Sequence, residues 1–424
     1  MNEKLLQFIW EFQYFQQSGL FTSQSEALTI LNPGKRNHHQ GPDFLDALIR
    51  IGNTTWAGNI EIHTLASDWY KHHHTADKNY ANIILHVVWE EEVPVYDGNG
   101  HLFASLALQN RVSKYLLDRY RQVMENNRNI PCYSFLPALQ DLGWIAWKER
   151  LAAERLERKS AQVLALFKQN GDHWEELCWC MMAANFGGKV NGLLFKLVAE
   201  SIPIALLQRH RKQLHQVEAL LMGQANLLEG KFTDKYACLL QKEYRFLKKK
   251  YRLQSVNRQP AFLRMRPAGF PTIRMAQLAV LISGNENMFS ILKEYNSITE
   301  AEKLFTITAG SYWDTHYRFE ESSHYLPKQI GKSMSENILI NTVIPLLFSY
   351  GLYHQNDGCR ERALQWLAEL PAEENQITTE WRRSGISNKK AIDSQALLEL
   401  TNHYCLHKRC LSCAVGSKIL KGSI

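Results

Sequence analysis

The stretch 41–63, GPDFLDALIRIGNTTWAGNIEIH, constrains this chain more than any other. Apolar side chains recur at Leu45, Ala47, Ile49 and Ile51, the period-2 spacing of a β-strand. Phe44 and Leu48 fall on the opposite face, so this strand is expected to be buried on both sides. Gly52-Asn53 is a turn signal, because both residues tolerate positive φ. The return strand, 54 to 63, sets Trp56, Ile60 and Ile62 on one face and Ala57, Asn59, Glu61 and His63 on the other.

Register decides whether this hairpin carries chemistry. With residues 52 and 53 as the whole loop, 44 faces 61 and Asp43 points away from Glu61. One extra residue in the turn, or a bulge, pairs 43 with 63 and 45 with 61. Asp43, Glu61 and His63 then share a face, and this second arrangement is expected. Two carboxylates and an imidazole at one end of a sheet make a site for a hard divalent cation and an activated water.

Pro42-Asp43 followed by Glu61-Ile62-His63 on a hairpin resembles the metal-binding motif of the PD-(D/E)XK nuclease superfamily. The resemblance implies that Asp43 and Glu61 hold Mg²⁺ or Mn²⁺, with the Ile62 carbonyl as a third ligand. His63 stands where that family usually has Lys. A neutral imidazole can orient or deprotonate water near neutral pH but offers no fixed positive charge. Flanking elements are in the order such a core needs: an amphipathic helix over 2–17, strands at 82–89 and 102–108, and a helix at 111–124. Over its full length the chain also resembles a bacterial family, the domain of unknown function 2851. That likeness runs through Gly41-Pro-Asp-Phe44, Gly58-Asn-Ile-Glu-Ile-His63, Ser67-Asp-Trp69, Ile84-Leu-His-Val-Val88, Arg264-Met-Arg-Pro267 and the Cys-rich end.

Half of the 16 histidines fall in the first 110 residues. Asp68, His72 and His74 are candidates to line the same cleft and act on a phosphate or a leaving oxygen. A rival reading makes His63, His72, His74 and His86 a zinc site. His73 reads as a solvated loop residue, and His86 as a core histidine.

The 424 residues, 45% hydrophobic, can bury two or three cores. No run of about 18 apolar residues occurs, and the N-terminus lacks a signal-peptide layout, so no membrane contact and a cytoplasmic location are expected. Charge is uneven. Residues 1–110 hold 6 Lys and Arg against 12 Asp and Glu, and the remainder 43 against 30. An acidic, His-rich module beside a basic one suits a metal-dependent enzyme acting on DNA or RNA.

Beyond residue 139 the apolar period changes to 3.6. The expected architecture is an α/β, restriction-endonuclease-like domain over 1–125, with a mixed sheet flanked by helices. A linker at 125–140 and a mostly α-helical basic domain over 139–424 follow. Arg264, Arg266 and Arg274 around a proline-rich loop are candidate phosphate contacts. Cys405-x4-Cys410-x2-Cys413 is a candidate metal half-site, for an iron–sulfur cluster with Cys132 or Cys359 as fourth ligand, or for zinc with Cys132, Cys359, His403 or His407. Three functions follow: a Mg²⁺-dependent nuclease, an inactive nuclease-fold protein that binds nucleic acid or joins a repair assembly or homo-oligomer, and a zinc hydrolase built on the histidines.

Overall fold

The computed structural model describes residues 1–37, 39–97, 100–136 and 141–421. The chain divides into two compact units, Met1–Gly143 with Thr401–Ile424, and Trp144–Leu400. The sequence-based division into 1–125 and 139–424 differs at both ends. Residues 125–136 of the expected linker belong to the first unit, where Cys132 is buried; residues 137–140 lie outside the described residues. The C-terminal segment also joins that unit. Leu420 enters its core, Arg119 donates to the Ile419 carbonyl (2.9 Å), and Lys408 donates to the Met124 carbonyl.

In the first unit, helix α1 (Glu3–Glu11) starts at an Asn2 cap that accepts from the Leu5 amide, and it buries Leu5, Leu6, Phe8, Ile9 and Trp10. It is shorter than the expected 2–17, because Phe12 closes it and Gln13 turns to a φ of 55°. The strands are β1 (Leu20–Phe21), β2 (Ala27–Asn32), β3 (Lys35–Arg36), β4 (Phe44–Ile51), β5 (Thr54–Leu65), β6 (Ile83–Glu90) and β7 (Ser105–Ala107). They form one mixed sheet in the order β1-β2-β4-β5-β6-β7, with β3 paired to β4. The pairs up to β4–β5 are antiparallel, while β5–β6 and β6–β7 are parallel. A parallel pair needs a crossover. Between β5 and β6 it is supplied by the short helix α2 (Asp68–Lys71) and two 3₁₀ turns, His74–Ala76 and Lys78–Tyr80. Helix α3 (Lys114–Glu125) adds Leu116 and Tyr120 to the core that α1 shares with the sheet.

The β4–β5 ribbon corrects the expected register. Ile51 pairs with Thr54 and Ala47 with Gly58, so the loop is two residues, with the positive φ (57°) on Gly52. Beyond Ala47 the register shifts, and Phe44 pairs with Ile60. A bulge therefore sets Leu45 and Asp46 against Asn59, with Asp46 at a φ of 57°. The extra residue lies on β4, so 43 comes opposite 61 rather than 63. The bulge also corrects the burial of β4. Ala47, Ile49 and Ile51 are buried while Leu48 is 36% exposed, as in a one-sided strand, and Phe44 is turned into the same core.

The second unit is helical. Asp141–Gln169 leads into it, and Trp174–Ser201, Leu214–Gln224, Lys235–Tyr251 and Pro271–Gly284 follow. Their facing sides build one large apolar core. Trp313 is fully buried and donates its indole N–H to Glu218 Oε1 (3.2 Å). Among the described residues, no single helix is long and apolar enough to cross a membrane.

Phe44 is the side chain that the bulge inserts beneath the site. Phe44→Ala is expected to lower stability by about 3–5 kcal/mol. Unfolding followed by circular dichroism checks this, and an unchanged melting curve would contradict the inward placement.

Candidate metal centre

Asp43 and Glu61 are locked together by the ribbon backbone. The Asp43 amide donates to Glu61 Oε2 (3.0 Å), and the Ile62 amide donates to Asp43 Oδ2 (3.2 Å). Ile62 therefore meets Asp43 through its amide. Glu61 is 5% exposed, and its Oε1 lies 3.7 Å from His63 Nε2 and 3.4 Å from His74 Nε2. His63, two residues on, shares the face of Glu61. Its Nδ1 is 2.8 Å from His86 Nε2, and its Nε2 is 3.1 Å from His72 Nδ1. One nitrogen from each of His63, His72 and His74 lies within 4.8 Å of the others.

The crossover after β5 brings His72 and His74 to this place. Trp69 is buried there, donates to Thr75 Oγ1 (2.9 Å), and meets His74 and His86 edge-on or tilted. His74 stacks on Tyr80 with ring centroids 3.8 Å apart. His73 takes a left-handed turn and is exposed, as expected for a solvated loop. Asp68 acts as a brace: its carboxylate accepts from the Leu65 amide (3.0 Å) and from Lys71 (2.6 Å). Partial burial opposes its ionisation, but those two donors hold it below the usual carboxylate range.

Electrostatics here are those of a site lacking positive charge. Burial, then Glu61's neighbour Asp43 and Glu3, pushes the Glu61 carboxyl up; burial likewise pushes Asp43 up. Burial and the surrounding imidazoles push His63 down to about 2 and His86 down to about 4. The free His63 ring is therefore held neutral. His74 Nε2 is buried, lies 3.4 Å from Glu61 Oε1 and makes no well-formed hydrogen bond, so it is free to take a ligand. Carboxylate oxygens and imidazole nitrogens together suit a divalent ion of intermediate softness.

Sequence reading missed a second group on α1. Gln7 donates to Asp43 Oδ1 (2.7 Å) and accepts from Arg36 (2.8 Å), which also pairs with Glu11 (3.2 Å). Burial raises Glu3, and Glu3 in turn raises both Asp43 and Glu61. The available signal was the spacing Glu3, Gln7, Glu11, a polar stripe along a helix whose other faces are buried. His86, read from sequence as a core histidine, is fully buried, and its Nε2 also meets His63 Nδ1.

The remaining candidates lie elsewhere. Arg264 and Arg266 are exposed in the second unit. Arg274 is half-buried, donates to Gln277 on its own helix (2.9 Å), and is lowered by that burial. Cys132, Cys405, Cys410 and Cys413 line one cavity of the first unit.

A mixed-sheet unit with a buried carboxylate–imidazole cluster at the end of its central hairpin is the class that fold and site define. The chain belongs to the family described as protein of unknown function (DUF2851), which it matches over residues 3–376. That range holds the whole cluster and ends before Cys405. No curated protein and no solved structure matches the chain.

Glu61 gives a signed test. Its folded-state pKa is raised, so in metal-stripped protein its burial destabilises the fold increasingly as pH rises above the ordinary carboxylate range. Glu61→Gln should therefore raise the melting temperature of chelator-treated protein at about pH 8 and leave it nearly unchanged at about pH 4. Equal effects at both would show that the carboxyl is not buried as described.

Proposed function

We propose that this chain is a divalent-metal-dependent phosphodiesterase acting on DNA or RNA. One observation carries the reading: two buried carboxylates, Asp43 and Glu61, converge with the imidazoles of His63, His72 and His74 at one end of the β4–β5 ribbon. The order of elements supports a restriction-endonuclease-like core: a helix, antiparallel strands, and a parallel strand reached through a helical crossover. Asp43 and Glu61, the residues that the PD-(D/E)XK resemblance names as metal ligands, are joined by the Asp43 amide donating to Glu61 Oε2. Imidazoles in the donor set favour Mn²⁺ over Mg²⁺, which takes oxygen ligands. A divalent ion there would polarise a phosphodiester and acidify a water.

The chain's own groups have distinct roles. Asp43 and Glu61 supply negative charge on one side of the site. His63 offers Nε2 as a ligand or as an acceptor that orients water, with its ring fixed by His86. His72 and His74 close the opposite side, Gln7 holds Asp43, and Asp68 braces the crossover. Arg264 and Arg266 are exposed and are the candidates for contacts to a phosphate backbone.

A second reading, a zinc hydrolase, is favoured by the three clustered imidazole nitrogens. A third keeps the fold and binds nucleic acid, alone or in a repair assembly, without turnover.

The test is cleavage of labelled DNA and RNA by purified protein with Mn²⁺ or Mg²⁺. Cleavage should vanish with chelator and in Asp43→Ala and Glu61→Ala. His86→Ala should lose about 10- to 100-fold as a residue that orients a ligand. Arg264→Ala with Arg266→Ala should weaken binding across all sequences and flatten its salt dependence. Salt-sensitive binding without cleavage would favour the third reading. Tightly held zinc, lost in His72→Ala and His74→Ala, would favour the second. Neither binding nor hydrolysis under any metal would refute all three.

A further inference from the structure

Four cysteines from two distant segments meet in the first unit, away from the carboxylate–imidazole cluster. Cys132, Cys405, Cys410 and Cys413 line one cavity, and they are 6%, 7%, 8% and 7% exposed. They are close enough for the Cys132 thiol to be raised by Cys413 and Cys410, after burial itself. All of the second unit lies between Cys132 and Cys405 in sequence.

The backbone is bent to make this meeting. The segment Leu400–Cys405 is wound as a π-helix, a form that recurs at functional sites. Lys408 takes a left-handed φ of 49° and reverses the chain. A 3₁₀ turn, Cys410–Ser412, then leads into the helix Ala414–Lys421. That helix lies directly against the turn: a Cβ on Gly416 would stand 2.1 Å from the Cys410 carbonyl oxygen. Cys178 and Cys180 differ, being spread along one apolar helix in the core of the second unit.

Spacing narrows the ligand. The Cys-x4-Cys-x2-Cys order completed by one remote cysteine is a spacing used in iron–sulfur ligation. We propose that Cys132, Cys405, Cys410 and Cys413 ligate an iron–sulfur cluster. Its effect on the fold is to fasten the C-terminal segment to the segment that follows α3.

The test is anaerobic purification of the full chain, with assay of iron, acid-labile sulfide and zinc. Iron and sulfide in equal amounts, with a broad visible absorption, are expected. Both should be lost in Cys410→Ser and Cys413→Ser and kept in Cys178→Ser, Cys238→Ser and the double variant His72→Ala/His74→Ala. Should the serine variants fail to fold, wild-type metal content alone still decides, and Gly416→Ala should lower iron content by displacing the Cys410 backbone. Stoichiometric zinc without sulfide, a disulfide among the four cysteines, or wild-type protein free of both metals would each overturn the assignment.

Discussion

Two carboxyl groups held together away from water repel one another, and a fold tolerates that only where something else is strongly fixed. Here the fixed element is the β4–β5 ribbon. The Asp43 amide donates to Glu61 while the Ile62 amide donates to Asp43, so the strand backbones grip both side chains. The bulge at Leu45 and Asp46 is what makes the grip possible, because a shift of one residue moves every side chain of a strand to the opposite face. Phe44 then enters the core, and Asp43 comes level with Glu61. Burial raises both carboxyls, and Asp43 adds to the rise of Glu61.

The histidines make the same point from the other side of the site. Four imidazoles stand in contact, and the most deeply placed are driven far below the ordinary histidine range. Protonating them would add charge to an interior that already disfavours it, so they stay neutral and present lone pairs. The site thus sets raised acids beside lowered bases. A divalent ion, as proposed, would stabilise the carboxylates and accept imidazole lone pairs together. His86 and Gln7 then act as supports that set the angle of His63 and Asp43.

Much of this could be read from sequence. Alternation through Leu45–Ile51 and the Gly52-Asn53 turn mark the ribbon, and the change to a 3.6 period marks the helices of the second unit. Asp43, Glu61, His63, His72 and His74 do meet, and Cys405, Cys410 and Cys413 share a cavity with Cys132, one of the fourth ligands considered. The register was out of reach because nothing in period 2 says which strand carries a bulge; Asp46 in a left-handed conformation is settled by the whole sheet. Glu3 and Gln7 were hidden by the apolar majority of α1, and Gln7's partners Arg36 and Asp43 lie 29 and 36 residues away. The C-terminal segment was assigned to the wrong side of the boundary because helical period alone does not tell which core a helix covers.

Calorimetric titration of Mn²⁺ into metal-stripped protein tests the ion at this cluster most directly, since thiolates compete poorly for so hard an ion. One saturable site per chain is expected, weakened in Asp43→Ala and in His63→Ala and unaffected in Cys410→Ser. Absence of binding, or binding that survives loss of both Asp43 and His63, would contradict a metal centre on the ribbon.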